Sequence, residues 1–135
     1  MTTLDRYPQD QIFVTVLSNN EAESHWISYG LAGILFGKAV EVPYVHRPMA
    51  IAATSLPQYV GQYGAITIGH ANSQLYLDSP EAPLVPESAC KFYQQRLPDR
   101  TVEFLSDKNG KVYAAVLTKG GVREILLKRK AVRLR

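Results

Sequence analysis

Ser88 and Lys91 stand three residues apart in the stretch Glu87-Ser88-Ala89-Cys90-Lys91. A serine and a lysine at that spacing can carry out acyl transfer. On a helix they lie one turn apart on the same face, the amine takes the hydroxyl proton, and the oxygen attacks a carbonyl carbon. The flanking residues predict a different geometry. Residues 85–95 read as a loop entering a strand, where positions three apart point to opposite faces. Ser88 and Lys91 are therefore expected to be a decoy, with no catalytic residue in the chain.

Other reactive side chains are scattered. His25, His46 and His70 lack the i, i+4 pairing of a helical metal site, so no metal is expected. His46, beside two prolines, is read as a residue that could tune a contact of the linker. Cys90 is the only cysteine, which excludes an intrachain disulfide and a cysteine-based cluster. With no His–Asp support in view it is expected to be structural and partly buried. Tyr59, Tyr63, Tyr76, Tyr93 and Tyr113 are expected to pack the core and rim of a small β-domain. In the alternative reading, Tyr59, Tyr63, Tyr76 and Tyr113 line an aromatic mouth for a small apolar ligand. No cofactor is implied.

The elements that must position these groups fall into two kinds. Ile12–Leu17, IFVTVL, is β-branched and aromatic and predicts a strand buried on both faces. Ser18, Asn19 or Asn20 can cap a helix whose first turn holds Glu21 and Glu23. That helix is expected to run to about Phe36, with Ile27, Leu31, Ile34 and Leu35 on one stripe, broadened by Trp26 and Tyr29. Gly37 and Lys38 supply its stop. Gly30 and Gly33 each lower helix propensity by roughly 1 kcal/mol, which predicts close packing at that point. Residues 41–55 hold the prolines of EVPYVHRP and read as a linker.

Beyond the linker the pattern changes to short strands with turn chemistry: 56–68, 73–79, 90–97, 101–106, 112–118 and 122–129. Leu75 and Leu77 alternate with Gln74, Tyr76 and Asp78, and Val102 and Phe104 with Glu103 and Leu105. Asn109-Gly110 and Gly120-Gly121 are hairpin turns. The fold class is therefore α+β and mainly β: a strand–helix unit over residues 1–40, a linker over 41–55 and an antiparallel β-barrel over 56–135.

At 135 residues, 46% of them hydrophobic and 20% charged, the chain has ample material for a core and is not generally disordered. The net charge of +3 comes from the end of the chain, where Arg123, Lys128, Arg129, Lys130, Arg133 and Arg135 oppose Glu124. No aromatic residue is interleaved with them, so a solvated end is expected rather than a nucleic-acid site. No run reaches the roughly 18 apolar residues of a membrane span. The N-terminal residues lack the pattern of a secretion signal, so the chain as written reads as cytoplasmic.

The segment DRYPQDQIFVTVLSNNEAESHWISYGLAGILFG resembles the closing strand and helix of the serine β-lactamase and penicillin-binding-protein-like hydrolases, class C and esterase types included. LPQYVGQYGAITI, PESACKFY, VEFLSDKNGKV and GVREILLKR resemble the lipocalin-like β-domain often appended to them. Tyr59, Gly61 and Tyr63 match its opening, Phe92 its mid-domain Phe, and Asp107, Gly110 and Lys111 its hairpin. The resemblance spans about residues 5–130 and implies that Tyr7 and Pro8 sit in a hairpin turn.

The same resemblance implies that the family's three catalytic motifs lie outside this chain. Ser18-Asn19-Asn20 stands on the wrong side of Ser88 for the second motif, and Thr118-Lys119-Gly120 is reversed for the third. The chain thus resembles a truncated, non-catalytic C-terminal part of a hydrolase whose relatives often act outside the cytoplasm. Its expected role is substrate access, docking or stability. The alternatives are a free-standing ligand-binding module and, last, an active hydrolase using Ser88 and Lys91. Having lost its neighbours, the strand–helix unit over residues 12–36 is expected to drive self-association.

Overall fold

A computed structural model describes residues 1–20 and 24–130. Thr2–Tyr7 (β1) and Ile12–Leu17 (β2) pair as an antiparallel hairpin, in register from Thr2 opposite Leu17 to Tyr7 opposite Ile12. Pro8–Asp10 forms a single 3-10 turn between them, and Gln11 leaves it in the left-handed region. The helix α1 spans Ser24–Leu35. It ends as its sequence predicts: Gly37 has φ +72°, its N–H donates to the Ile34 carbonyl at 3.0 Å, and the Lys38 N–H donates to Gly33 at 2.8 Å. These two bonds make a Schellman motif, which satisfies carbonyls left without partners in the last turn.

Two expectations about this unit fail. β2 is not buried on both faces, and β1 is its one sheet partner among the described residues. Within it Val14 is buried, whereas Phe13 and Leu17 are 60% and 76% exposed. The helix is turned the other way round from its pattern. Ser24, Ser28, Gly30, Ala32 and Gly33 are buried, and Ile27, Leu31, Ile34 and Leu35 are exposed. Small residues face inward because the neighbours come too close for larger ones. The Thr3 and Ser24 hydroxyls are hydrogen-bonded at 2.6 Å, Ser28 donates to Asp5, and Tyr7 meets Phe36 edge to face. Glu21 and Glu23 lie outside the described residues.

Two compact units divide the chain: Met1–Pro43 together with Lys119–Arg123, and Tyr44–Thr118 together with the chain from Glu124. The close packing expected at Gly30 and Gly33 lies within the first. A Cβ on Gly30 would stand 2.6 Å from the Gly120 carbonyl oxygen, and one on Gly33 would stand 2.9 Å from Val122 Cγ2. Gly120 and Gly121 have φ of +54° and +82°. That two-residue turn needs positive φ at both positions, and the Gly121 carbonyl accepts from the Glu41 N–H at 2.7 Å.

Eight strands form a meander: Gly61–Tyr63 (β3), Ile66–Ala71 (β4), Gln74–Leu77 (β5), Pro83–Pro86 (β6), Lys91–Gln94 (β7), Arg100–Ser106 (β8), Val112–Lys119 (β9) and Val122–Leu127 (β10); all but the β9–β10 turn residues Lys119–Arg123 lie in the second unit. Neighbours in sequence are neighbours in the sheet. Its ends nearly meet. The Gly64 N–H donates to Leu127, the Arg129 N–H donates to Gln62 at 2.7 Å, and Tyr63 bridges to Lys128. The protein is thus α+β and mainly β, with an almost closed antiparallel barrel-like sheet. Lys128 and Arg129 help to close it, and the Lys128 ammonium donates to the Gln58 carbonyl. Arg133 and Arg135 lie outside the described residues.

The interior follows the period-2 pattern where the sequence shows one. Leu75, Leu77, Val102 and Phe104 are buried, with Ile68, Leu84, Val112, Ala115 and Leu117. β6 was not foreseen, because two of its four residues are prolines, which weaken a strand signal. Residues 53–59 are not strand but a 3-10 helix that sends Leu56 and Tyr59 into the core. At the β8–β9 hairpin, Gly110 alone takes positive φ. Asp107 Oδ1 accepts from the Asn109 and Lys111 N–H groups, supplying the rest of the turn.

Candidate functional site

Ser88 lies in the loop Glu87–Cys90 between β6 and β7. The Lys91 carbonyl closes this loop by accepting from the Glu87 and Ser88 N–H groups at 2.9 and 3.1 Å. The Ser88 hydroxyl oxygen is occupied within the loop, where it accepts from the Lys91 N–H at 3.0 Å and the Cys90 N–H at 3.4 Å. Lys91 opens β7, and its ammonium stands 4.0 Å from Glu87 Oε1 and 5.0 Å from the Tyr44 ring centroid. Neither side chain has the helical geometry that proton transfer between them would need. Cys90 is partly buried, its carbonyl accepts from Phe104, and its sulfur lies 3.9 Å from Ser88 Oγ.

The convergent polar cluster of the barrel unit forms around Glu87, which sequence reasoning did not single out. The Tyr44 hydroxyl donates to Glu87 Oε1 at 2.5 Å, and His46 Nδ1 lies 2.7 Å from Oε2. His46 stacks on Tyr93 at 4.5 Å and leans on Tyr44 at the same distance. The Glu87 side chain is 9% exposed, so its oxygens need these hydrogen-bond partners. Burial is the first cause that raises the Tyr44 hydroxyl above its usual value, and the bond to Glu87 adds to it.

The segment that carries Tyr44 and His46 has the prolines of a linker. It is pinned to the barrel, because the Met49 N–H also donates to the Pro86 carbonyl at 2.8 Å. The one signal that could have found this cluster is its alternation. Tyr44 and His46 are two apart, as are Lys91 and Tyr93, so each pair can present one face. A carboxylate bonded to Nδ1 fixes the orientation of the imidazole, which the Tyr44 and Tyr93 rings also hold. Glu87→Ala is expected to destabilise the protein by about 1–2 kcal/mol. It should also speed hydrogen exchange at the Met49 amide, measured residue by residue by NMR; unchanged exchange there would show the segment held by other contacts.

The four tyrosines proposed as a ligand mouth do not converge. Tyr63, fully buried, donates its hydroxyl to the Tyr59 carbonyl at 2.8 Å, and Tyr59 donates to Ala89 at 2.7 Å. Both rings pack on Phe104, with Phe92 against Tyr59 and Phe104. Tyr76 lies on the opposite face of β5 from buried Leu75 and Leu77, over Gly69 of the paired strand, and Tyr113 is about half exposed on β9. The core tyrosines serve packing because each hydroxyl finds a main-chain acceptor.

Burial raises the hydroxyls of both Tyr59 and Tyr63 above their usual value near 10. A raised folded-state value contributes stability that is complete below the unfolded-state value and lost as pH climbs through the folded one. Stability is therefore expected to hold to about pH 10 and fall above it. Chemical denaturation at stepped alkaline pH measures this. Tyr63→Phe should reduce the slope and cost about 1 kcal/mol at neutral pH.

Of the histidines, His25 sits beside Trp26 on α1, and His70 is exposed on β4. Among the described residues no three His, Cys, Asp or Glu side chains gather as a metal site would need. No described helix is long and apolar enough to cross a membrane. No protein-family model matches the chain, and neither a curated protein nor a solved structure does. What the fold defines is a small barrel-like β-domain with an attached hairpin–helix unit.

Proposed function

We propose that this chain is a non-catalytic accessory part of a penicillin-binding-protein or β-lactamase-like serine hydrolase, with a lipocalin-like barrel, and that it serves substrate access, docking or stability. The observation that carries this reading is the double exposure of the hairpin–helix unit. The outward stripe of α1 is apolar and exposed, and on the outward face of the hairpin Leu4, Phe13 and Leu17 are exposed beside Thr2, Arg6 and Thr15. A two-layer unit with apolar side chains on both outer faces is built to be covered on both. The filled interior around Tyr63 and Phe92 favours this role over a ligand-binding module. By itself the chain associates with itself through residues 12–36.

Two measurements test the proposal. The chain is mixed with the catalytic body of such a hydrolase lacking its own closing strand and helix. Co-elution is expected, and separate elution at micromolar concentration would count against an accessory role. The chain is also incubated with an activated ester and with a penicillin, beside Ser88→Ala, and its intact mass is recorded. No adduct is expected. A stoichiometric adduct absent from the variant would make Ser88 a working nucleophile and overturn the non-catalytic reading.

A further inference from the structure

Which edge of the hairpin takes a partner can be derived from its hydrogen bonds. Beyond the strand ends, the Ser18 N–H donates to the Met1 carbonyl at 2.9 Å, and the Met1 amino group donates to Ser18 at 2.6 Å. Residues directly opposite in an antiparallel pair alternate between bonded and non-bonded. With Met1 and Ser18 bonded, the bonded pairs of the register are Thr3–Val16, Asp5–Val14 and Tyr7–Ile12. Phe13, Thr15 and Leu17 therefore turn their N–H and C=O groups away from β1, toward an edge that no described strand covers. The side chains of all three are exposed.

This edge is matched to itself. An antiparallel pairing of β2 with β2 of a second copy, centred on Thr15, sets Phe13 opposite the partner's Leu17 and Thr15 opposite the partner's Thr15. All three residues on each copy then exchange both of their main-chain bonds. Centring on Val14 instead would leave Leu17 unpaired. Thr–Thr is a favourable cross-strand pair, and Phe13 and Leu17 cover apolar surface on each other. The charges agree as well: β2 carries none, so a two-fold axis brings no like charges together. The outward edge of β1 presents Thr2, Leu4 and Arg6, and a charged edge resists strand addition.

We infer that the chain forms an isologous dimer through β2, giving a four-stranded sheet in the order β1–β2–β2–β1 with its two-fold axis at Thr15. The inference rests on the self-association reading above and specifies its surface and register. The test is a charge exchange at the exposed position Thr15, read by sedimentation equilibrium at micromolar concentrations, with circular dichroism to verify folding. The parent chain is expected at twice its 15.0 kDa mass. Thr15→Lys and Thr15→Glu, each alone, are expected to halve that mass, and their equimolar mixture is expected to restore it.

A monomeric parent chain would overturn both this inference and the self-association reading. Dimers in the parent and in both variants alone would overturn the β2 edge while leaving self-association standing, for instance through the exposed stripe of α1. Two monomeric variants whose mixture stays monomeric would overturn the register at Thr15.

Discussion

Phe92→Ala is expected to lower stability by roughly 3–5 kcal/mol, the range for emptying a fully buried aromatic site. Phe92 is completely buried on β7, opposite Val102 on β8, and packs edge to face on both Tyr59 and Phe104. Removing its ring leaves a void whose other walls cannot close in. Tyr59 is held by its hydroxyl on the Ala89 carbonyl, and Phe104 belongs to a paired strand. For a chain of this length such a loss lowers the thermal midpoint by about 10–20 °C. Scanning calorimetry with near-ultraviolet circular dichroism checks it. Phe92→Leu, which refills part of the volume, should recover much of the loss. A shift of only a degree or two for the alanine variant would mean that the barrel interior collapses around the gap, and that the aromatic cluster does not hold the sheet together.

The second large effect is expected at Gly30. Alanine normally strengthens a helix interior by about 1 kcal/mol over glycine. Here the sign reverses, because the added Cβ would lie 2.6 Å from the Gly120 carbonyl oxygen. That oxygen belongs to a turn whose own φ of +54° leaves little room to yield. Overpacking of this kind costs typically 1–3 kcal/mol and more when the obstacle is backbone, so a net loss of about 2–3 kcal/mol is expected. Trp26 is the only tryptophan, and its carbonyl lies against Gly120. Its fluorescence follows the unfolding of the helix that carries Gly30. Urea unfolding followed at Trp26 should move to lower denaturant for Gly30→Ala, whereas Gly37→Ala tests a different cause. Gly37 has open space around it but a φ of +72°, so its cost is conformational strain alone.

The two variants separate what each part of the molecule needs. The barrel depends on filling an interior whose walls are strands, and its most sensitive positions are large. The hairpin–helix unit depends on close approach, and its most sensitive positions are small. The same difference explains why the unit's large apolar side chains stay outside. With Ser24, Ser28, Gly30 and Gly33 turned toward their neighbours, Ile27, Leu31, Ile34 and Leu35 stay about half exposed on the other side.

Much of the barrel was legible in the residues alone. Alternation identified Leu75, Leu77, Val102 and Phe104 as inward-facing, because a strand's period of two leaves a mark in any half-buried sheet. Asn109-Gly110 and Gly120-Gly121 marked turns, because few residues tolerate positive φ. Gly30 and Gly33 announced a close contact by their presence in a helix, and Gly37 its end. The flanking pattern around Ser88 and Lys91 read as a loop entering a strand, and that is the local structure they have.

Other features depended on distance in the chain. Glu87 joins Tyr44 and His46 across roughly forty residues, and no local pattern marks a carboxylate that will be bonded from so far away. β6 was hidden by its prolines, which stop the usual signal without preventing strand pairing. The orientation of α1 was the plainest reversal. An apolar stripe states that a helix has a face to cover, but which face meets its neighbour is settled by how close that neighbour comes, and only the folded chain brings Gly120 and Val122 against Gly30 and Gly33.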